Sequence, residues 1–116
     1  MVTLVNNART TNGCAAMKVD ARLTTAAQGH ASDMARRGYF SHTTPDGRTF
    51  AQRITAAGYP RPGAENIAQG QRSAQSVMDG WLRSPGHRAN ILNCRLTTIG
   101  VGLDTNGFYW VQSFGF

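Results

Sequence analysis

The chain has 116 residues and a net charge of +6, carried by eleven arginines and one lysine against five aspartates and a single glutamate, Glu65. That length suits one domain over residues 1–116 with a core of its own, and leaves no room for a second. The charge favours anionic partners such as cell-envelope polymers, acidic lipids or nucleic acid, and no run is long and apolar enough to span a membrane.

Val2, Leu4, Val5 and Ala8 have helical spacing and stop at Asn12-Gly13, which predicts a short first helix. VTLVNNAR is not a signal-peptide pattern, so the chain is expected either to have lost an export signal or not to be exported. Cys14 and Cys94 are the only cysteines. They have no CxxC or Cys/His spacing for structural zinc; a disulfide and two free buried thiols are the alternatives.

Asp20 caps a second helix, whose stripe Leu23, Ala26, Ala27, His30, Ala31, Met34 and Ala35 ends at Gly38. His30, inside that stripe, reads as a hydrogen-bonded core histidine rather than a ligand. The following YFSHTTPDG is a loop, with Thr44-Pro45-Asp46-Gly47 as a turn and His42 held on irregular chain as a site candidate. Phe50, Ile54 and Ala57 mark a third helix closed by Gly58, and YPRPG is a rigid connector. AENIAQ is a short strand that sends Glu65 and Ile67 one way, Asn66 and Ala68 the other.

Ser73 caps a fourth helix with Ala74, Val77, Met78, Trp81 and Leu82 on one face; Gly80 within it suggests close approach of another backbone. Ser84-Pro85 starts a fifth, with Ser84 as its cap and His87 in the first turn, where the helix dipole keeps an imidazole neutral. Ile99, Val101 and Leu103 then alternate with polar or small residues, and Asn106-Gly107 turns the chain into a last strand over 108–116. In that strand Phe108, Trp110 and Phe114 lie opposite Tyr109 and Val111, so both faces need cover. The chain reads as α+β: a small antiparallel sheet between helix layers.

No HExxH, GxSxG, P-loop or dinucleotide fingerprint occurs, and the basic charge lacks both interleaved aromatics and a helix-turn-helix cue, which disfavours nucleic acid. What remains is His42, Glu65 and His87. In order, LTTAAQGHASDMARRGYFSH, GAENIA, WLRSPGHRANIL, IGVGL and YWVQSFG resemble the CAP superfamily of cysteine-rich secretory, antigen five and pathogenesis-related proteins, in its compact bacterial form. The resemblance covers essentially the whole chain. It implies a three-layer αβα sandwich, export and a Cys14–Cys94 bridge; the chain is expected to be a monomer. The resemblance also implies a cleft lined by two histidines and two acids, able in some members to bind Zn²⁺ or another divalent ion.

Carried over by motif, the histidines are His42 and His87 and the first acid is Glu65, with Asn66, Ser84 and Asn90 lining the cleft. Ser84 stands where a second acid would be. Two imidazoles and a carboxylate can still hold Zn²⁺ with an open position, whereas Ca²⁺ wants more oxygens. The resulting expectation is a secreted, non-catalytic binding or signalling module for an envelope component, lipid or protein partner. The alternative is a metal-assisted hydrolase, a peptidase or cell-wall hydrolase, with Glu65 as base.

Overall fold

A computed structural model describes the whole chain, Met1–Phe116. Its elements are α1 (Val2–Thr11), β1 (Lys18–Val19), α2 (Ala21–Arg37), α3 (Phe50–Ala56), β2 (Pro62–Gln69), α4 (Ala74–Arg83), α5 (Pro85–Ile91), β3 (Thr98–Asp104) and β4 (Tyr109–Gly115). Several boundaries follow from local chemistry. The Asp20 carboxylate accepts from Arg22 N–H at the start of α2, and Gly38 ends that helix in the left-handed conformation at φ 68°. Ser73 accepts from Ser76 N–H at the start of α4. Thr49 and Gln52 form a reciprocal capping box on α3.

The sheet order is β1-β3-β4-β2. β4 pairs antiparallel with both β2 and β3, as the alternating patterns predict. The expected purely antiparallel sheet is corrected by β1, which runs parallel to β3 through Lys18–Thr98 and Val19–Ile99. Two residues are too few to show an alternation, so this strand has no sequence signature. Phe108 is also corrected: it lies before β4 at φ 53°, in the turn, with Arg72 over its ring at 5.1 Å.

Helices cover both faces. Ile67, Tyr109 and Val111 pack with Ala27, Ala31 and Met34 of α2, and Ile54 of α3 joins Leu23, Ala26 and Tyr59 on that side. On the other face Ala68, Ile99, Trp110 and Phe114 meet Val5 of α1, Val77, Met78 and Trp81 of α4, and Ile91 of α5. The result is the αβα sandwich. Close approach of backbones occurs at Gly100 and Gly102 beneath α2 rather than at Gly80, where the nearest atom to an added Cβ is Gln71 Nε2 at 3.8 Å. Cys14 and Cys94 are joined, with Cα atoms 5.0 Å apart. In the loop-entropy account, closing so long a loop contributes about 4 to 5 kcal/mol.

Not all of the basic charge is at the surface. Arg9, on α1, is 1% exposed. It has no carboxylate partner; its Nε donates to Ala15 O at 2.9 Å, Nη1 to Ile91 O at 2.9 Å and Asn93 O at 3.0 Å, and Nη2 to Leu96 O at 2.8 Å. One guanidinium therefore takes up the last carbonyl of α5 and ties the loop after it to α1. Burial lowers the pKa of Arg9 without discharging it. Arg9→Met strips the donors from these carbonyls and is expected to cost about 3 kcal/mol. Urea unfolding of the oxidised protein should show a lower midpoint at unchanged m; an unshifted midpoint would mean that water replaces the arginine at no cost.

Candidate functional site

The sheet ends at β2, and the site lies along that strand, where both helix layers reach its edge. From the α2 side, the loop after Gly38 brings His42 over Glu65, with His42 Nδ1 at 2.9 Å from Glu65 Oε1. The contact fixes Nδ1 as the donor and leaves Nε2 without a protein partner. Glu65 is almost wholly buried, its side chain 2% exposed, while that of His42 is 50% exposed. The other carboxylate oxygen is held by Arg53 of α3, Nη2 to Oε2, at 2.6 Å. Arg53 Nη1 also donates to His42 O at 2.8 Å and Arg48 O at 3.3 Å. One buried guanidinium thus holds both the carboxylate and the loop that carries the histidine.

From the opposite layer α5 brings His87 and Asn90. Ser84 sits at the residue shared by the end of α4 and the start of α5, with Pro85 at the first helical position, but its hydroxyl makes no cap hydrogen bond. The expected side-chain cap is corrected: proline already removes one N–H from the helix start. His87 has its pKa lowered, first by burial and then by the nearby charge of His42. Burial and the neighbouring imidazole thus push in the direction the helix start predicts, toward a neutral ring. Neither ring nitrogen of His87 carries a hydrogen bond, but its backbone oxygen accepts from Asn66 Nδ2 at 3.2 Å.

Asn66 is fully buried and joins the layers beneath the cleft, donating to Gln112 Oε1 at 3.1 Å and accepting from Asn90 Nδ2 at 2.9 Å. Two recesses open along the strand. One of about 500 Å³ is lined by His42, Phe50, Glu65 and Asn90. The other, about 390 Å³, is lined by Phe40, Trp81, Ser84 and His87. The two histidines line neighbouring recesses rather than one. His30 lies outside the cleft, 1% exposed, with Nε2 2.8 Å from Ser41 O; burial lowers its pKa. It is the core histidine the stripe predicts.

The side chains do not form a three-ligand metal centre as they stand: no group of three or more His, Cys, Asp or Glu side chains is close enough together to hold an ion. Glu65 already uses one oxygen on Arg53 and the other on His42. Its geometry suits a carboxylate that orients a histidine, not one that binds metal directly. His42 Nε2 and the His87 ring are the free donors that remain.

Arg53 is the residue that sequence reasoning missed. It stands three residues after Phe50 and four before Ala57, on the apolar face of α3, where an arginine reads as one that reaches out to solvent, yet it is 8% exposed. Two signals existed: that helical spacing, and the balance of charge, because a lone buried glutamate needs a cation.

A profile described as the cysteine-rich secretory protein family, CAP, matches residues 2–114. The Bacillus subtilis protein YkwD is 36% identical over 115 residues, spanning 98% of this chain and 45% of YkwD. An extracellular protein containing an SCP domain from Bacillus anthracis superposes with a TM-score of 0.90 at 32% identity, over 96% of this chain and 37% of that one. An outer surface protein of Borrelia burgdorferi shares the fold, with a TM-score of 0.88 at 24% identity, over 98% of this chain and 87% of its own. The chain thus spans less than half the length of the first two.

Proposed function

The chain belongs to the cysteine-rich secretory protein (CAP) family, and from that premise we propose that it is a bacterial binding domain working outside the cell, whose cleft holds a ligand without turning it over. The observation that carries this reading is the commitment of Glu65. A general base must reach the proton it takes, and Glu65 sits in a side chain 2% exposed with Arg53 and His42 across its two oxygens at 2.6 and 2.9 Å, so no substrate proton comes within reach. No serine, threonine or cysteine in the cleft is hydrogen-bonded to a histidine ring, so the nucleophile and base of an acyl-transfer site are missing. What the cleft offers is recognition: an exposed phenylalanine, Phe40, two imidazoles with open nitrogens, and the carboxamide of Asn90. The extracellular and outer-surface descriptions of the two structural neighbours support the location, as does a disulfide, which persists in oxidising compartments. Envelope components, lipids and partner proteins are the ligand classes in view.

The uncommitted His42 Nε2 and His87 ring favour one second reading, a metal-assisted hydrolase. Incubation of the purified domain with peptidoglycan and with unstructured peptides, with and without Zn²⁺, decides between the two. The expected result is no product above a protein-free blank. Cleavage that requires Zn²⁺ and disappears in His87→Ala would replace the binding reading with the hydrolase.

A further inference from the structure

A third recess, of about 310 Å³, lies between α2 and the turn over 44–48, with Arg53 in its lining. Only one of its 11 lining residues is hydrophobic, and four are arginines: Arg36, Arg37, Arg48 and Arg53. Two carboxylates, Asp33 and Asp46, share the site with them.

The hydrogen bonds around it leave donors in excess. Asp33 is saturated: Oδ1 accepts from Arg36 Nη2 and Arg37 Nε, both at 2.9 Å, and Oδ2 from Arg37 Nη2 at 2.7 Å and the Tyr39 hydroxyl at 2.5 Å. These bonds, the Arg37 pair first, hold its pKa down to about 2, so it is ionised at any physiological pH. Asp33 therefore acts as a brace that fixes two guanidiniums. Arg37 is further fixed over the Tyr39 ring at 5.6 Å and lies 3.5 Å from Asp46 at the rim. Arg53 is spent on Glu65, His42 O and Arg48 O. Arg36, by contrast, commits a single N–H, and the guanidinium of Arg48 makes no hydrogen bond or ion pair at all. Each arginine has five donors. The recess thus presents more cationic N–H donors, on Arg36 and Arg48, than its one uncommitted carboxylate, Asp46, can receive.

A group made only of acceptors fits that imbalance, and guanidinium forks match phosphate and carboxylate oxygens in pairs. Ala26 is the single hydrophobic residue in the lining, which leaves little for an acyl chain to pack on and argues against a lipid as the occupant. The volume, at the small end for ligand sites, suits a unit the size of one sugar. Asp46, 64% exposed at the rim, can accept from a hydroxyl. We propose that this recess is an anion subsite for a phosphate or carboxylate carried on a sugar or polyol, with Arg36 and Arg48 as its binding residues and Asp33 as the positioning residue for Arg36.

The test titrates the ¹⁵N-labelled domain with glucose 6-phosphate, glucuronate and glucose, and sediments it with phosphatidylglycerol vesicles. The expected result is saturable shifts from one or both anions, confined to amides of residues 25–37 and 44–48, with none from glucose. Whichever anion binds more tightly identifies the group. Arg48→Gln and Arg36→Gln each weaken binding by at least about fivefold, and both side chains are exposed enough for the fold to persist in the same spectra. Equal response to glucose, shifts centred on His42 and His87, unchanged affinity in the double variant, or binding to vesicles alone would each overturn the assignment. None of those results bears on whether the cleft turns over a substrate.

Discussion

Replacing Gly100 with alanine is expected to destabilise the domain by about 4 kcal/mol or more, in the exceptional range for a single methyl group. The added Cβ would stand 2.1 Å from the carbonyl carbon of Leu23 and from Thr24 N, and 2.5 Å from Leu23 O. All three are helix backbone atoms, so no rotamer change relieves the overlap, and α2 must move off β3 as a body. Gly102 faces the same helix one turn on, with Ala27 C and O both at 2.5 Å. Moving α2 separates Leu23, Ala27 and Ala31 from the sheet, and these are fully buried. Overpacking that forces such backbone shifts ordinarily costs 1 to 3 kcal/mol, and more where nothing can yield. Gly80→Ala is the contrast. Its new Cβ has no atom closer than 3.8 Å, so helix propensity should stabilise it by up to about 1 kcal/mol. Urea denaturation of the three proteins gives the comparison. A Gly100→Ala midpoint close to that of the parent would show that α2 is free to slide, and would remove the close approach as the reason for glycine there.

The same glycines show what the sequence makes legible. In IGVGL the alternation is visible, and Ile99, Val101 and Leu103 do turn to the layer of α1, α4 and α5. What lies against the empty positions is not visible, because a backbone leaves no side-chain pattern. Helices with a stripe and caps, such as α2 with Asp20 and Gly38, emerge with their boundaries nearly intact. β1 does not, since its two residues obtain their conformation from pairing with β3. Order-dependent motifs identify His42, Glu65, Asn66, His87 and Asn90, and the structure brings all five to one edge of the sheet. The roles they take depend on long-range partners. Glu65 looks like a base or ligand until Arg53 is placed beside it. Arg9 looks like surface charge until the carbonyls after α5 surround it, 82 to 87 positions away in sequence.

Arg53→Met should cost about 3 to 5 kcal/mol, the usual penalty for stranding one member of a buried ion pair. The Arg53 and Glu65 side chains are 8% and 2% exposed, so water can restore little of the lost hydrogen bonding without opening the cleft wall. The substitution also frees His42 O and Arg48 O, which Arg53 Nη1 holds, and the loop between α2 and α3 should exchange its amide hydrogens faster while the sheet remains protected. Arg53→Lys is not a conservative control: one ammonium has no planar fork to span a carboxylate and two carbonyls. The decisive variant is the double change Arg53→Met with Glu65→Gln, which removes the stranded charge and should recover much of the loss. A large coupling energy in that cycle identifies Glu65 as the anchor of the cleft wall and of His42. If instead Arg53→Met costs under about 1 kcal/mol, comparable to a surface pair, the carboxylate is not tied down, and the argument that Glu65 is too committed to act as a base fails with it.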